Sequence, residues 1–168
     1  MENYIVINGK KAELTQEQLE ALGIKTESVF NRTLLNKSYY YIGSLGDVCQ
    51  ECEFNSGVND KRYEIANYCT DTKLMIQRAL HETLNRLLWR FACENGELEN
   101  EWDSSPKQKD CHYHYHIYFS RYDNLFYISK GYMIKCEGII YFPSYEIAQQ
   151  ALNEIVKPFI KEHPEFVW

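Results

Sequence analysis

Apolar residues recur along this chain with two periods, alternating in short runs and helical in two longer ones, and the switch between them marks the elements. The run RYEIANYCTDTKLMIQRALHETLNRLLWRFACEN, positions 62–95, predicts a short strand, a capped turn and one long helix from Thr72 to about Asn95. That helix carries Leu80, Leu84, Leu87, Leu88 and Phe91 at the spacing of a buried stripe. Its other side reads Arg78, Glu82, Asn85, Arg86, Trp89 and Arg90, a polar face interrupted by an indole that is either covered by another element or kept for a partner.

A weaker copy, CEGIIYFPSYEIAQQALNEIVKPFIKEH, occupies positions 136–163. Tyr68, Cys69, Thr70 and Asp71 align with Tyr141, Phe142, Pro143 and Ser144, and a helical pattern follows each block. Asp71 and Ser144 stand where an N-cap oxygen is needed, and Pro143 cannot extend a ladder. A hairpin pattern precedes each copy, turning at Ser44 to Asp47 in the first and at Arg121 to Asn124 in the second. The chain therefore reads as two hairpin, strand, helix repeats over 38–95 and 111–163. In the last helix Ala148, Ala151, Leu152, Ile155, Val156 and Phe159 share a face, Pro158 predicts a kink, and PEFVW predicts a docked tail.

Ahead of these repeats, YIVINGKKAEL alternates around Asn8-Gly9, a strong hairpin signal. Thr15 with Gln18 forms a capping box for a short helix from Gln16 to Leu22, which Gly23 stops. Positions 25–37 show no clear period and read as a connector. The fold class is α+β: antiparallel hairpins packed on two long helices, with the internal repeat and an N-terminal hairpin plus short helix. The division is 1–24 for the N-terminal piece and 38–168 for the main body, in one folded unit.

Composition changes this picture in three places. The sequence shows no secretory h-region, and no apolar run nears the ~20 residues of a bilayer span, so the expected location is cytoplasmic. Six cysteines without two CxxC pairs read as reduced thiols. A net charge of −6 argues against nucleic acid as partner, and 14 tyrosines exceed what a core needs, so some rings should face a groove, a partner or a second copy.

On a strand, CHYHYHIYF would put His112, His114 and His116 on one face and Tyr113, Tyr115 and Ile117 on the other. Imidazoles at that spacing can share a metal, line a ligand site or simply bond to neighbours, and the missing third ligand favours the last. The carboxylates of the following-helix loop, Glu97, Glu99, Glu101 and Asp103, read as solvating charge. No GxSxG, Walker, GxGxxG or HExxH motif is present, so the expectation is a non-enzymatic binding protein with no cofactor and no metal. Arg62, Arg86 and Arg90 offer planar donors for an anion, and Trp89, Tyr40, Tyr115, His114 and His116 offer rings, which together suit a nucleotide-like ligand or a protein surface.

The run RYEIANYCTDTKLMIQRAL, preceded by YYYIGSLGDVCQECEF, resembles a small module of phage and prophage proteins: an aromatic hairpin, an Arg-led strand ending in Asn-aromatic, and a capped helix. Cys69 replaces the usual aromatic and Met75 the usual alanine. The resemblance implies a phage protein of the host bacterial cytoplasm and carries no catalytic residues. Proteins of that kind antagonise host defence, so sequestration of a nucleotide-derived signal by a homo-oligomer comes first and inhibition of a bacterial defence protein second. A His-based metal enzyme and a single-stranded nucleic-acid binder follow. Sequestration calls for a concave Tyr, Trp and Arg pocket, inhibition for a flat patch.

Overall fold

Strand pairing follows the hairpin signals. The computed structural model describes residues 4–7, 10–15, 18, 21–22, 28–97, 113–131 and 135–168. The chain divides into two compact units, one holding 1–41 with 50–72 and the other 42–49 with 73–168.

In the first unit β1 (Tyr4–Ile7) pairs antiparallel with β2 (Lys10–Glu13), Tyr4 opposite Glu13 and Ile7 opposite Lys10. The Asn8-Gly9 turn lies outside the described residues. The capping box that follows is formed, with Thr15 N–H on Gln18 Oε1 at 2.9 Å and Gln18 N–H on Thr15 Oγ1 at 3.3 Å, while most of the helix expected after it lies outside the described residues. Next come β3 (Ser38–Ile42) and β4 (Val48–Cys52), paired as a hairpin. On its other side β3 takes a single bridge, Tyr40 N–H to Cys69 O at 2.7 Å and Cys69 N–H to Tyr40 O at 3.0 Å.

The strand expected from Arg62 onward is corrected here. Residues Gly57–Glu64 form a helix, α1, and only Cys69 is left to pair as a strand. Ser56 caps α1 through a reciprocal box, its Oγ accepting from Asn59 N–H at 3.3 Å while Asn59 Oδ1 accepts from Ser56 N–H at 3.1 Å. The connector is also tied in, since Thr33 N–H donates to Tyr68 Oη at 3.1 Å and Thr70 N–H to Val29 O at 2.9 Å.

The second unit is built on α2 (Thr72–Glu94), at the place its apolar stripe predicts. Then follow β5 (His114–Ser120), β6 (Leu125–Gly131) and β7 (Tyr141–Phe142), in the sheet order β6-β5-β7. A helix closes the unit in three parts: α3 (Tyr145–Ala151), a π-helical segment (Leu152–Val156) and α4 (Lys157–Glu162). Ser144 Oγ caps α3 by accepting from Ile147 N–H at 3.2 Å. Leu84, Leu88 and Ala92 of α2 meet Phe142, Ala148, Ala151, Leu152, Val156 and Phe159 in one buried core. Tyr115, Ile117, Phe126 and Ile128 cover that core from the sheet, and the tail docks with Trp168 edge-on to Phe126 at 5.0 Å.

The repeat survives as a pairing rule. In each copy the short strand before the long helix pairs with the first strand of the hairpin, Cys69 with Tyr40 and Phe142 with Tyr115. The sequence alignment sets the same residues, Cys69 and Phe142, against each other.

Candidate functional site

Within the first unit the polar side chains close on one another. Glu53 is fully buried and holds the Arg32 guanidinium through two bonds, to Nε at 3.0 Å and Nη2 at 2.9 Å. Arg32 also reaches Asp60 at 2.6 Å, Tyr68 Oη donates to Glu53 at 3.0 Å, and Asn55 N–H does so at 2.7 Å. The Arg32 bonds, helped by Asn55 and Tyr68, outweigh burial and hold the Glu53 carboxyl down to about 2. Burial first and Glu53 second push the Tyr68 phenol up to about 12, against the Thr33 N–H. Tyr68 stacks on Tyr39 at 4.0 Å, and Tyr39 Oη accepts from Asn59 at 2.8 Å and Arg62 at 2.7 Å.

Arg62, expected to hold an anion, is thus engaged inside its own unit. It donates to Glu51 and Tyr39 and lies 3.5 Å over the Tyr41 ring. Tyr40 is half-buried and bridged to Cys69. This centre is a satisfied polar core of the kind that fixes one packing, with its donors already matched by acceptors.

The outward side of α2, in the second unit, is different. Trp89 is 58% exposed, and Arg86 and Arg90, one turn before it and one residue after, are exposed too. Arg86 Nε donates to Glu82 O at 3.1 Å, and Glu82 takes the Arg78 Nε at 2.9 Å, so the charged side chains line up along the helix beside the indole. The turn of the β3-β4 hairpin sits against this row. Gly46, at φ +91, has room for a Cβ only 3.3 Å from Thr83 Oγ1 and 3.6 Å from Arg86 Nη2, and the adjacent Leu45 is 93% exposed.

On β5 the two faces separate as the alternation predicts. Tyr115 turns inward, edge-on to Tyr145 at 6.3 Å, and so belongs to the core. His114 and His116 share the opposite face with Tyr118, and His112 lies outside the described residues. His114 is fully buried with its Nδ1 2.8 Å from Glu97 Oε1. Glu97 therefore is not the solvating charge it was expected to be: its side chain is 15% exposed. Gly96, at φ +93 just past α2, turns the chain so that Glu97 reaches the strand, the one local signal for this pair. Glu97 Oε2 and His116 Nδ1 are buried with no hydrogen-bond partner among the described residues, and burial lowers the pKa of His116. His116 packs edge-on to Tyr141 at 5.5 Å.

Among the described residues no three His, Cys, Asp or Glu side chains converge as a metal would require, Cys49, Cys52, Cys69, Cys93 and Cys136 form no disulfide, and no helix is long and apolar enough to cross a membrane. Trp102 lies outside them. The expected site residues fall into separate places: Arg62 and Tyr40 in the first unit, Arg86, Trp89 and Arg90 along α2, His114 and His116 on the sheet face opposite Tyr115, and Tyr115 in the core. Comparison with known proteins gives no matching family model, no matching curated protein and no matching solved structure. The phage resemblance accordingly rests on the quoted residues alone.

Proposed function

We propose that this chain is a non-enzymatic binding protein of a phage or prophage, acting in the host bacterial cytoplasm, that grips a host protein through the outward face of α2. The observation that carries this reading is Trp89, 58% exposed between Arg86 and Arg90 on a helix whose inward side, through Leu84, Leu88 and Ala92, is buried in the core. An indole beside guanidinium groups is the pairing most enriched at the energetic centres of protein interfaces. With Leu45 at the neighbouring turn it makes a patch with apolar and cationic parts. The fitting partner surface has an apolar pocket for the indole and carboxylates around it.

A second reading keeps sequestration of a nucleotide-like anion, because the same ring could stack on a base while Arg86 and Arg90 take its phosphates. Two cavities of the second unit lend it less support: they measure about 280 and 240 Å3, against the ~300–1,000 Å3 of small-molecule sites, and the first sets Arg90 among three glutamates. A nucleotide would be enclosed only if a second copy closed over Trp89.

A photo-crosslinking residue placed at position 89 tests the surface reading in lysate of a susceptible bacterium. One discrete protein adduct is expected from position 89 and none from the same residue at exposed Leu125. Equal labelling from both positions, or none from either, would overturn it.

A further inference from the structure

We infer that the groove between α2 and the closing helix is a second docking site, whose occupant is a basic amphipathic helix of another protein. The groove has a volume of about 280 Å3 and an apolar floor of Leu87, Phe91, Ile155, Pro158 and Phe159. Glu94, Glu154 and Glu162 stand around that floor with Arg90, three carboxylates against one guanidinium, so the rim is net negative. Gln150 Nε2 donates to Glu154 Oε2 at 3.2 Å. A volume this small suits one or two side chains inserted from a partner better than a whole small molecule. The floor selects an aliphatic or aromatic side chain, and the rim selects lysine or arginine one turn away on either side, which is the pattern of a basic amphipathic helix laid in a groove.

The backbone gives a separate reason to single out this groove. Pro158 has no N–H to donate, and its ring would crowd the Glu154 carbonyl in a regular α-helix. The chain answers with the π segment Leu152–Val156, where Lys157 N–H reaches back to Leu152 O. A π turn is a costly local choice that concentrates at functional sites. Here it lies in the groove wall, and Glu154 and Ile155 come from it. In the sequence Pro158 marks only a kink, and the structure turns it into a widened turn that presents one rim charge and one floor residue together.

The groove and the Trp89 face share Arg90, and the variants below leave both Arg90 and Trp89 in place, so either site can fail without the other. The test is fluorescence anisotropy of the full chain with a labelled synthetic helix that carries leucines at helical spacing and lysines elsewhere. Two paired variants are compared at equal net charge and near-physiological salt: Glu154→Gln with Glu162→Gln on the rim, and Glu137→Gln with Glu146→Gln on exposed positions away from it. The expected result is binding by wild type and by the distant pair, and a loss of about tenfold or more in the rim pair, as for charges that a docked partner desolvates. Absence of wild-type binding, or equal weakening in both pairs, would overturn the site, the second by showing only attraction to an acidic chain.

Discussion

Arg32 and Glu53 meet through two parallel hydrogen bonds, 2.9 and 3.0 Å, around a carboxylate with no exposure to solvent. The pair is separated by 21 residues in sequence and joins the connector to the end of β4, so it closes the first unit. Breaking one side of such a pair leaves the other charge buried. Arg32→Ala is expected to lower the urea unfolding midpoint by leaving the buried Glu53 carboxylate without its partner, and Arg32→Lys to recover part of the loss without the two-point geometry.

The same carboxylate sets the acid limit of stability. Glu53 titrates near 2 when folded against an ordinary 4.5, so the unfolded chain binds the proton first as pH falls. Its contribution is whole above about pH 5 and is lost as pH drops toward 2. Tyr68 sets the opposite limit: its folded value of about 12 stands above the ordinary 10, and its contribution is lost as pH rises through that window. Denaturation across pH should show a plateau between these limits. Glu53→Gln should flatten the acid limb, and an unchanged limb would contradict the assignment.

Leu88 and Trp89 are neighbours with opposite fates. Leu88 is 4% exposed and Trp89 58%. Leu88→Ala is expected to destabilise the chain by about 2–5 kcal/mol, whereas Trp89→Ala should stay within about 0.5 kcal/mol of wild type. Thermal or urea melts of the two variants check this directly.

Gly46 holds the hairpin turn at φ +91, with Thr83 close to where a Cβ would stand. Gly46→Ala should cost about 1–2 kcal/mol for the left-handed backbone alone. Gly131, where an added Cβ meets nothing within 4 Å, serves as the comparison and should tolerate alanine.

Burial lowers the pKa of His116, and its Nδ1 has no partner among the described residues. The unfolded chain should therefore take this proton first, and stability should fall as pH drops through the ordinary 6.5. Imidazole shifts followed by NMR are expected to titrate below that value.

Periodicity made most of the architecture legible. Leu84 and Leu88 are buried where the stripe puts them, and the alignment of Cys69 with Phe142 matches their strand pairing. Two kinds of feature were harder to read. The helix α1 has its signal in Ser56 and Asn59, but the tyrosines and isoleucine after it look like a strand, and the cap prevails because its reciprocal bonds fix the first turn. Long-range polar pairs leave no period at all: nothing local distinguishes Glu53, buried on Arg32, from a solvating carboxylate, and only the Gly96 turn marks Glu97, buried on His114. Arg62 shows the converse, since its composition suits an anion while Glu51, Tyr39 and Tyr41 already surround it. Trp89 was legible as an exception on a polar face, and what contacts it lies beyond sequence patterning.

Native mass spectrometry of the purified chain and its Trp89→Ala, Arg86→Ala variant, each after incubation with lysate of a defence-competent bacterium, tests the α2 surface most directly. The expected result is a protein-sized mass gain on the wild type that is absent from the equally folded variant. A small-molecule gain released intact on denaturation, or a protein gain that the variant retains in full, would contradict it.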